Sequence, residues 1–342
     1  MDLDYLLRVL LEGSGRPDRG LVRRDASTSS TELRAHGSIE DQHVLHALTF
    51  ILSTHPAHDP ASAMRSVLLL TTIALVSCSG PRGGLGRDEE PRWVAHRGDS
   101  AHAPENTLAA VQSALGLSPT PEWIEVDVHS SGDGELIVIH DATLDRTSRS
   151  TGRVAAMLWS DLSVVDAGYP DRFGDGFRGE RLPRLADVLD VVEGMETGVM
   201  IEVKSAGSGG PAAALVRSRG EEHRHVLASF KPDVLVAASL EAPGLETLFL
   251  VDKPDVEHIE LARQIGASIL GVEHKAVNEE LVARVREAGL FLWVWTVDEP
   301  GRVRELDALG VDGVISNDLG RVRPALHDLR SGSAMRSEPR SR

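Results

Sequence analysis

Short apolar runs alternate with amphipathic helical patterns from Trp93 to about Arg323. Apolar and β-branched runs of about four to eight residues are typical of buried strands, and apolar residues recurring every three or four positions are typical of covering helices. The predicted strands are Trp93–His96, Trp123–His129, Leu136–His140, Val199–Lys204, Val226–Phe230, Thr247–Val251, Ile269–Val272, Leu290–Val297 and Val314–Ser316. The predicted helices are Glu105–Leu117, Leu185–Val192, Ala212–Arg219, Val234–Leu240, Val256–Ile265, Asn278–Ala288 and Glu299–Leu309.

One connection in this alternation is too short to contain a helix. Only Ser130–Glu135, with Gly132-Asp133-Gly134, joins the second predicted strand to the third. Because a parallel pair needs a crossover of about a dozen residues or more, we predict an antiparallel hairpin here. Eight strands then remain in βα alternation, which predicts an α/β fold, a TIM (β/α)8 barrel. An open dinucleotide-binding sheet fits less well, because no glycine-rich turn follows the first strand.

The segment 143–182 interrupts the alternation and is rich in Asp, Gly, Arg and Ser. Long irregular segments in compact domains are usually functional, so we predict an insertion over the barrel mouth. The predicted barrel domain spans 93–325. The Arg- and Ser-rich tail, 326–342, is predicted to be disordered.

A separate apolar run, Ser66–Val76, follows Met64-Arg65 and ends at Ser77-Cys78. The run is too short to span a bilayer, which needs about 20 residues, but its positive start and small-residue end are typical of a secretory signal. Leu75–Cys78 resembles a bacterial lipobox, in which the cysteine is lipidated and becomes the mature N-terminus. We therefore predict a lipoprotein signal peptide at 64–78 with lipidation at Cys78; a buried helix with a core cysteine is the alternative.

Residues 1–63 show little sustained periodicity, although a signal peptide belongs at an N-terminus. We expect translation to start at Met64 and residues 1–63 to be a non-native or disordered extension; a genuine N-terminal extension is the alternative. Residues 79–92 are predicted to be a tether. The expected location is outside the cytoplasmic membrane, with the protein lipid-anchored to the cell envelope.

Composition and charge narrow the classes of partner. The 342-residue chain carries a formal net charge of −16, which argues against nucleic acid, because a phosphate backbone needs a basic face. With Cys78 as its single cysteine, the chain cannot form an internal disulfide.

Three carboxylates lie on strands whose ends should meet at the mouth of such a barrel. Glu125 and Asp127 are two residues apart on one predicted strand and so face the same side, and Glu202 lies on the next barrel strand. Carboxylates without nearby cysteine suit a hard cation, Ca²⁺ or Mg²⁺, rather than structural zinc. The alternative is salt bridging inside the barrel, with Lys204 or Arg97 as partner.

Two histidines end predicted strands at the same edge. His96 and His140 could divide the acid and base work of phosphodiester cleavage at neutral pH. The sequence leaves the assignment open, with His96 as base and His140 as acid preferred. His102 and His129 are interpreted as structural.

Further groups at these strand ends suit a phosphodiester substrate. Arg97 and Lys204 could hold phosphate oxygens. Trp295 could form an apolar wall for an alcohol moiety, or it could simply pack in the core. The sequence also leaves open whether the attacking group is water or the glycerol hydroxyl.

Eight sequence blocks together resemble the glycerophosphodiester phosphodiesterase family. The blocks are His96-Arg97-Gly98, Pro104-Glu105-Asn106-Thr107, Glu125-Val126-Asp127-Val128, His140 to Thr147, Leu182-Pro183-Arg184-Leu185, Ile201-Glu202-Val203-Lys204, Trp295-Thr296-Val297 and Gly310 to Ile315. The segment after the last block, Ser316-Asn317-Asp318-Leu319, departs from the family pattern, which commonly has Thr-Asp and then a proline there.

The resemblance implies a barrel phosphodiesterase with one divalent cation. It implies metal ligands at Glu125, Asp127 and Glu202, catalytic histidines at His96 and His140, and phosphate contacts at Arg97 and Lys204. Glu105 is implied as a residue that supports the substrate site.

The expected reaction is metal-dependent hydrolysis of glycerophosphodiesters to sn-glycerol 3-phosphate and an alcohol. One alternative is a phospholipase-D-like barrel acting on lysophospholipid or sphingomyelin. Another is a surface lipoprotein that binds phosphate-bearing ligands without turnover.

The signal-peptide interpretation predicts the behaviour of Cys78→Ala. Two acyl chains anchor a protein stably, so the wild-type protein should fractionate with membranes and Cys78→Ala should not. Gly83→Ala, in the predicted tether, is the control and should stay with the membranes. A native protein that retains Met1 and carries no lipid would contradict both the start site and the anchor; mass spectrometry of its N-terminal peptide decides.

Overall fold

The structure, a computed structural model, describes residues 85–326. The predictions for residues 1–63, for the signal peptide with Cys78 and for the tail beyond Leu326 lie outside the described residues. The strands are β1 (Arg92–Ala95), β2 (Trp123–Ser130), β3 (Leu136–Val138), β4 (Gly198–Val203), β5 (Val226–Ser229), β6 (Glu246–Val251), β7 (Ile269–Glu273), β8 (Phe291–Trp295) and β9 (Gly313–Ser316).

Eight of these strands form a closed parallel barrel. The order is β1-β9-β8-β7-β6-β5-β4-β2, and pairing of β1 with β2 closes the ring. Strand β3 pairs antiparallel with β2 outside the ring, with Val128 opposite Val138. The predicted TIM barrel and its hairpin after the second strand are therefore confirmed.

Helices connect successive barrel strands. They are α1 (Leu108–Leu115), α2 (Trp159–Leu162), α3 (Pro170–Phe173), α4 (Leu185–Val192), α5 (Gly209–Ser218), α6 (Pro232–Glu241), α7 (Val256–Gln264), α8 (Glu279–Glu287), α9 (Pro300–Leu309) and α10 (Leu319–Val322). Asp255 and Asn278 accept hydrogen bonds from first-turn amides of α7 and α8, which satisfies donors that a helix start leaves unpaired.

Helix α1 begins three residues later than its sequence pattern predicts. Asn106 has a positive φ of 59°, so the chain is not helical there, and Thr107 caps the helix by accepting from Ala110 N. This displacement leaves Glu105 and Asn106 in the loop before α1, free to point at the barrel mouth.

The apolar core has two layers, one between strands and helices and one inside the barrel. The inner layer contains Trp293, which is fully buried and packs against Trp123 with ring centroids 5.1 Å apart. Leu85 joins this layer, and its carbonyl accepts from Trp293 Nε1 at 3.0 Å. In the described part of the predicted tether at 79–92, Leu85 is buried and Arg87 forms an ion pair with Asp307.

The segment 143–182 has a small core of its own. Ile137 and Ile139, in and just after β3, pack against the buried apolar residues of the segment. Those residues are Leu144, Val154, Leu162, Val165, Ala167 and Leu182. The segment reaches the strand ends through Arg146, which forms an ion pair with Glu105. Within residues 85–326, no helix has the length and apolar character needed to cross a bilayer.

Close packing under the Trp293 ring predicts the effect of Gly313→Ala. A Cβ at Gly313 would lie 2.6 Å from Trp293 Cγ, so the ring or the strand must shift. We expect a loss of about 1–3 kcal/mol in the free energy of unfolding, the usual cost of overpacking. Gly210→Ala is the control, since a Cβ there meets nothing within 4 Å and should be neutral or slightly stabilising. Denaturant titration measures both, and equal stability of the two variants would contradict the packing argument.

Candidate active site

Alternation along two neighbouring strands brings three carboxylates together. On β2, Glu125 and Asp127 follow Trp123 at two-residue intervals and therefore face the barrel interior as it does. The parallel register places Glu202 of β4 opposite Asp127. One carboxylate oxygen from each residue lies within 4.8 Å of the others, and all three residues are buried. The predicted convergence is confirmed.

Two cations lie among these carboxylates. Lys204 Nζ is 2.9 Å from Asp127 Oδ1 and also forms an ion pair with Glu202, and Arg97 Nε is 3.2 Å from Asp127 Oδ2. The salt bridges considered as an alternative are thus present. They do not balance the charge, because two cations face three carboxylates.

The uncompensated charge and the burial of the cluster shift the pKa values of its three carboxyl groups. Burial, together with the charges of Asp127 and Glu202, raises the pKa of Glu125 well above its ordinary value. Burial, reinforced by Asp127, raises the pKa of Glu202 to about 7. Burial acts the same way on Asp127, but Lys204 and Arg97 outweigh it and lower the pKa of Asp127 to about 2.

This donor set fits a hard divalent cation. Glu125 Oε1 is buried without a hydrogen-bond partner among residues 85–326. Oxygen donors from three carboxylates are the ligands that Ca²⁺ and Mg²⁺ prefer. Burial favours the protonated forms of Glu125 and Glu202, and a bound dication would compensate the same negative charge.

A left-handed turn after β1 presents Arg97. Arg97 has a φ of 56° and Gly98 a φ of 81°, so the chain reverses directly at the strand end. Arg97 N donates to Glu125 Oε2 at 2.7 Å, which ties the turn to the carboxylate cluster. A Cβ at Gly98 would lie 2.6 Å from backbone carbon of Ala110, so only glycine fits.

The loop before α1 braces this turn. Asn106 Nδ2 donates to Asp127 Oδ2 at 2.8 Å, and Asn106 Oδ1 accepts from Asp127 N at 3.0 Å. Glu105 Oε1 accepts from Arg97 Nη1 at 2.8 Å. Glu105 therefore orients the guanidinium of Arg97.

His96 follows β1 and is held by an amide. Its Nδ1 is 2.7 Å from Asn317 Oδ1, and Asn317 Nδ2 donates to Asp298 Oδ2 at 2.6 Å. Because a carboxylate only accepts, the Asn317 nitrogen faces Asp298 and its oxygen faces His96. Nδ1 of His96 therefore carries a hydrogen, and Nε2, 3.9 Å from Glu125 Oε2, keeps a lone pair. Burial lowers the pKa of His96 to about 4.

His140 lies just beyond β3 and pairs with a carboxylate. Its Nδ1 is 2.7 Å from Asp141 Oδ1, and a hydrogen bond from Arg146 lowers the pKa of Asp141 to about 2. His129 Nε2 donates to the carbonyl of His140 at 3.0 Å, so it fixes the backbone there. The Ile139 amide donates to the Asp127 carbonyl at 2.9 Å, so His140 follows directly after a contact with the strand that carries the carboxylates.

An aromatic pair lies at the ends of β5 and β8. Trp295 meets Phe230 edge to face, with ring centroids 5.7 Å apart. Trp295 is partly buried and packs against the inner layer of the core, whereas Trp293 is fully buried. Phe230 was not singled out by the sequence.

Sequence reasoning missed four polar residues that hold the site together: Asn106, Arg146, Asp298 and Asn317. Asn106 and Arg146 lie inside recognised blocks, so their positions were visible but their partners were not. Asn317 lies in the block that departs from the family pattern. His102, interpreted as structural from the sequence, pairs with Asp99 at 2.9 Å rather than with a carboxylate of the cluster.

Known proteins resemble this chain in sequence and in fold. A glycerophosphodiester phosphodiesterase from Caldanaerobacter subterraneus subsp. tengcongensis is 34% identical over 230 residues, covering 66% of this chain and 93% of that protein. The crystal structure of a glycerophosphodiester phosphodiesterase from Agrobacterium tumefaciens shares 33% identity at a TM-score of 0.60, covering 68% of this chain and 99% of its own.

A phosphodiesterase from Oleispira antarctica, solved in complex with the product sn-glycerol-3-phosphate, shares 26% identity at a TM-score of 0.63, covering 70% of this chain and 97% of its own. The profile of the Glycerophosphoryl diester phosphodiesterase family matches residues 96–321, a segment that begins at His96 and contains the three carboxylates, His140 and Lys204. By this match and by its fold, the chain belongs to the glycerophosphoryl diester phosphodiesterase family of enzymes.

Proposed function

We propose that the protein hydrolyses glycerophosphodiesters to sn-glycerol 3-phosphate and an alcohol, with a divalent cation and two histidines. The observation that carries the proposal is the buried carboxylate triad, which Arg97 and Lys204 contact and which lies beside the strand ends that lead into His96 and His140. The product complex of the Oleispira antarctica phosphodiesterase supports the same substrate class.

The environments of the two histidines support different roles. A buried imidazole with a free Nε2 and an amide acceptor on Nδ1 is suited to take a proton, so His96 is the general base. Asp141 accepts at Nδ1 of His140 and so orients the ring, which leaves Nε2 as the nitrogen that would give a proton to the leaving alkoxide. This assignment, His96 as base and His140 as acid, is the one preferred from the sequence.

Arg97 and Lys204 are the phosphate-binding groups in this proposal. Both are partly exposed at the mouth while anchored on Asp127, so their remaining donors can reach phosphate oxygens. When bound by Glu125, Asp127 and Glu202, a divalent cation would neutralise charge developing on the phosphoryl group. Trp295 and Phe230 offer an apolar wall for the alcohol moiety.

The lipid-hydrolysing alternative has less support. The apolar residues of segment 143–182 that form its small core are buried against one another, so they do not line a groove for acyl chains. Comparing glycerophosphocholine with lysophosphatidylcholine as substrates separates the two activities.

The proposal also includes the cell envelope as the working location. Its support is the lipobox-like sequence that ends at Cys78. Glycerophosphodiesters are charged and cross membranes poorly, so cleavage outside the cytoplasm would release glycerol phosphate for uptake.

Replacing either histidine tests the acid–base roles. His96→Ala and His140→Ala should each lower kcat by at least about 10²-fold, the usual scale for a general acid or base. His102→Ala is the control, because this exposed histidine lies apart from the cluster. Steady-state assays on glycerophosphocholine with added Ca²⁺ or Mg²⁺ measure the effect. A His140→Ala enzyme with wild-type turnover would remove His140 from the mechanism.

Cation binding should depend on pH, because protons compete for the same carboxylates. With the pKa of Glu202 raised to about 7 by burial, deprotonation supplies the ligand as pH rises. The apparent affinity for Ca²⁺ or Mg²⁺ should therefore increase from pH 5.5 to pH 7.5, by up to about tenfold per pH unit for each proton released, and then level off. Isothermal titration calorimetry in buffers of different ionisation enthalpy measures affinity and proton release together.

Two variants sharpen this measurement. Glu202→Gln should bind the cation more weakly and with a shallower pH dependence, since one competing proton site is gone. Glu257→Gln, on the exposed side of α7, should match the wild type. An affinity that stays constant across this pH range in the wild type would exclude the proposed ligand set.

A further inference from the structure

Arg146 uses its whole guanidinium to join two acidic side chains. Its Nη1 and Nη2 donate to the two oxygens of Glu105, each at 2.8 Å. Its Nε and Nη2 donate to the two oxygens of Asp141 at 2.7 and 3.1 Å. Nη1 also reaches the hydroxyl of Tyr169 at 3.5 Å. All five N–H donors of a guanidinium are thus directed at partners.

One of these acidic groups leads to the proposed phosphate-binding arginine. Glu105 Oε1, which Arg146 contacts, also accepts from Arg97 Nη1 at 2.8 Å. Burial raises the pKa of Glu105, but the hydrogen bonds and charges of Arg146 and Arg97 outweigh it, so the carboxylate is held in its charged form. Arg146 therefore fixes the group that aims Arg97.

The other acidic group leads to the proposed general acid. Asp141 Oδ1 accepts from Arg146 Nη2 and lies 2.7 Å from His140 Nδ1. The side chains of His140 and Asp141 are each about one-third exposed and lie beyond the end of β3, where the contact from His129 holds the His140 backbone but not its ring. Without Arg146, the Asp141 carboxylate loses the two hydrogen bonds, from Nε and Nη2, that set its plane.

We propose that Arg146 is a positioning residue that holds Arg97 and His140 in a fixed relative geometry, through Glu105 and Asp141. The inference rests on the proposed function. It assigns a purpose to the segment 143–182: the segment supplies a side chain, Arg146, that bridges the loop before α1 and the end of β3.

The bridge requires a planar, forked cation. A lysine can place one charge between Glu105 and Asp141 but cannot contact four carboxylate oxygens in two parallel pairs. Arg146→Lys should therefore recover only a small part of the activity that Arg146→Ala loses.

The first experiment compares Arg146→Ala with the wild type on glycerophosphocholine. We expect kcat to fall by about 10- to 100-fold, the scale of a misplaced catalytic group, and KM to rise. The reason is that Glu105 no longer fixes Arg97 and Asp141 no longer fixes His140. Arg149→Ala is the matched control: it removes an exposed arginine of the same segment that only pairs with Asp175 on the surface. Thermal melting of each variant reports whether the fold is intact.

Chemical rescue distinguishes positioning from a general structural role. The Arg146 side chain is 37% exposed, so a free guanidinium ion can enter the space that Arg146→Ala opens. Guanidinium at millimolar concentration, far below the molar range that denatures proteins, should restore kcat of Arg146→Ala by at least severalfold. Urea at the same concentration should not restore it, and neither agent should raise the activity of Arg149→Ala.

Single substitutions separate the connection through Glu105 to Arg97 from the connection through Asp141 to His140. Glu105→Gln should act mainly on KM through Arg97, and Asp141→Asn mainly on kcat through His140. In the wild-type background the double variant should show coupling, whereas in the Arg146→Ala background the two changes should be additive.

Two results would overturn the inference. One is an Arg146→Ala enzyme within twofold of the wild-type kcat and KM; the other is a loss of activity in a folded Arg146→Ala that guanidinium does not restore and Arg146→Lys does. Failure of the proposed function would look different, because the wild-type protein itself would then leave glycerophosphocholine intact with either cation.

Discussion

The mouth of this barrel is organised by an unbalanced charge. Glu125, Asp127 and Glu202 are buried with carboxylate oxygens within 4.8 Å of one another, and within residues 85–326 the cations paired with them are Lys204 and Arg97. Like charges this close cannot all remain ionised without compensation, so the cluster must hold protons or a cation. Several neighbouring polar side chains contact these groups directly, among them Asn106 on Asp127 and Glu105 on Arg97.

The same strand alternation builds the core and the site. On β2 the inward positions change from Trp123 to Glu125 and Asp127, and on β4 from Met200 to Glu202. Apolar side chains therefore fill the lower barrel, and charged ones replace them at the carboxyl ends of the strands. Because both sets share one rigid backbone, the packing below fixes the separation of the carboxylates above, which is a precision that loops alone do not provide.

Strand spacing made the carboxylate cluster predictable, whereas the supporting contacts were not. Glu125, Asp127 and Glu202 follow from two-residue periodicity and parallel order, which are properties of the sequence. The hydrogen bonds between Asn106 and Asp127 depend on the left-handed backbone conformation of Asn106. The hydrogen bond between His96 and Asn317 joins residues 221 apart. Such contacts arise when loops from distant strands meet, and no local pattern encodes them. The docking of Leu85 under the barrel was missed for the same reason.

Trp293 and Trp123, with Leu85 beneath them, occupy the lower end of the barrel. These side chains fill the barrel end opposite the carboxylates, since the interior of such a barrel is a packed core and not a pore. A substrate and its products would then enter and leave by the same face. Product would have to depart before the next substrate binds, so such an enzyme would be open to inhibition by its own product.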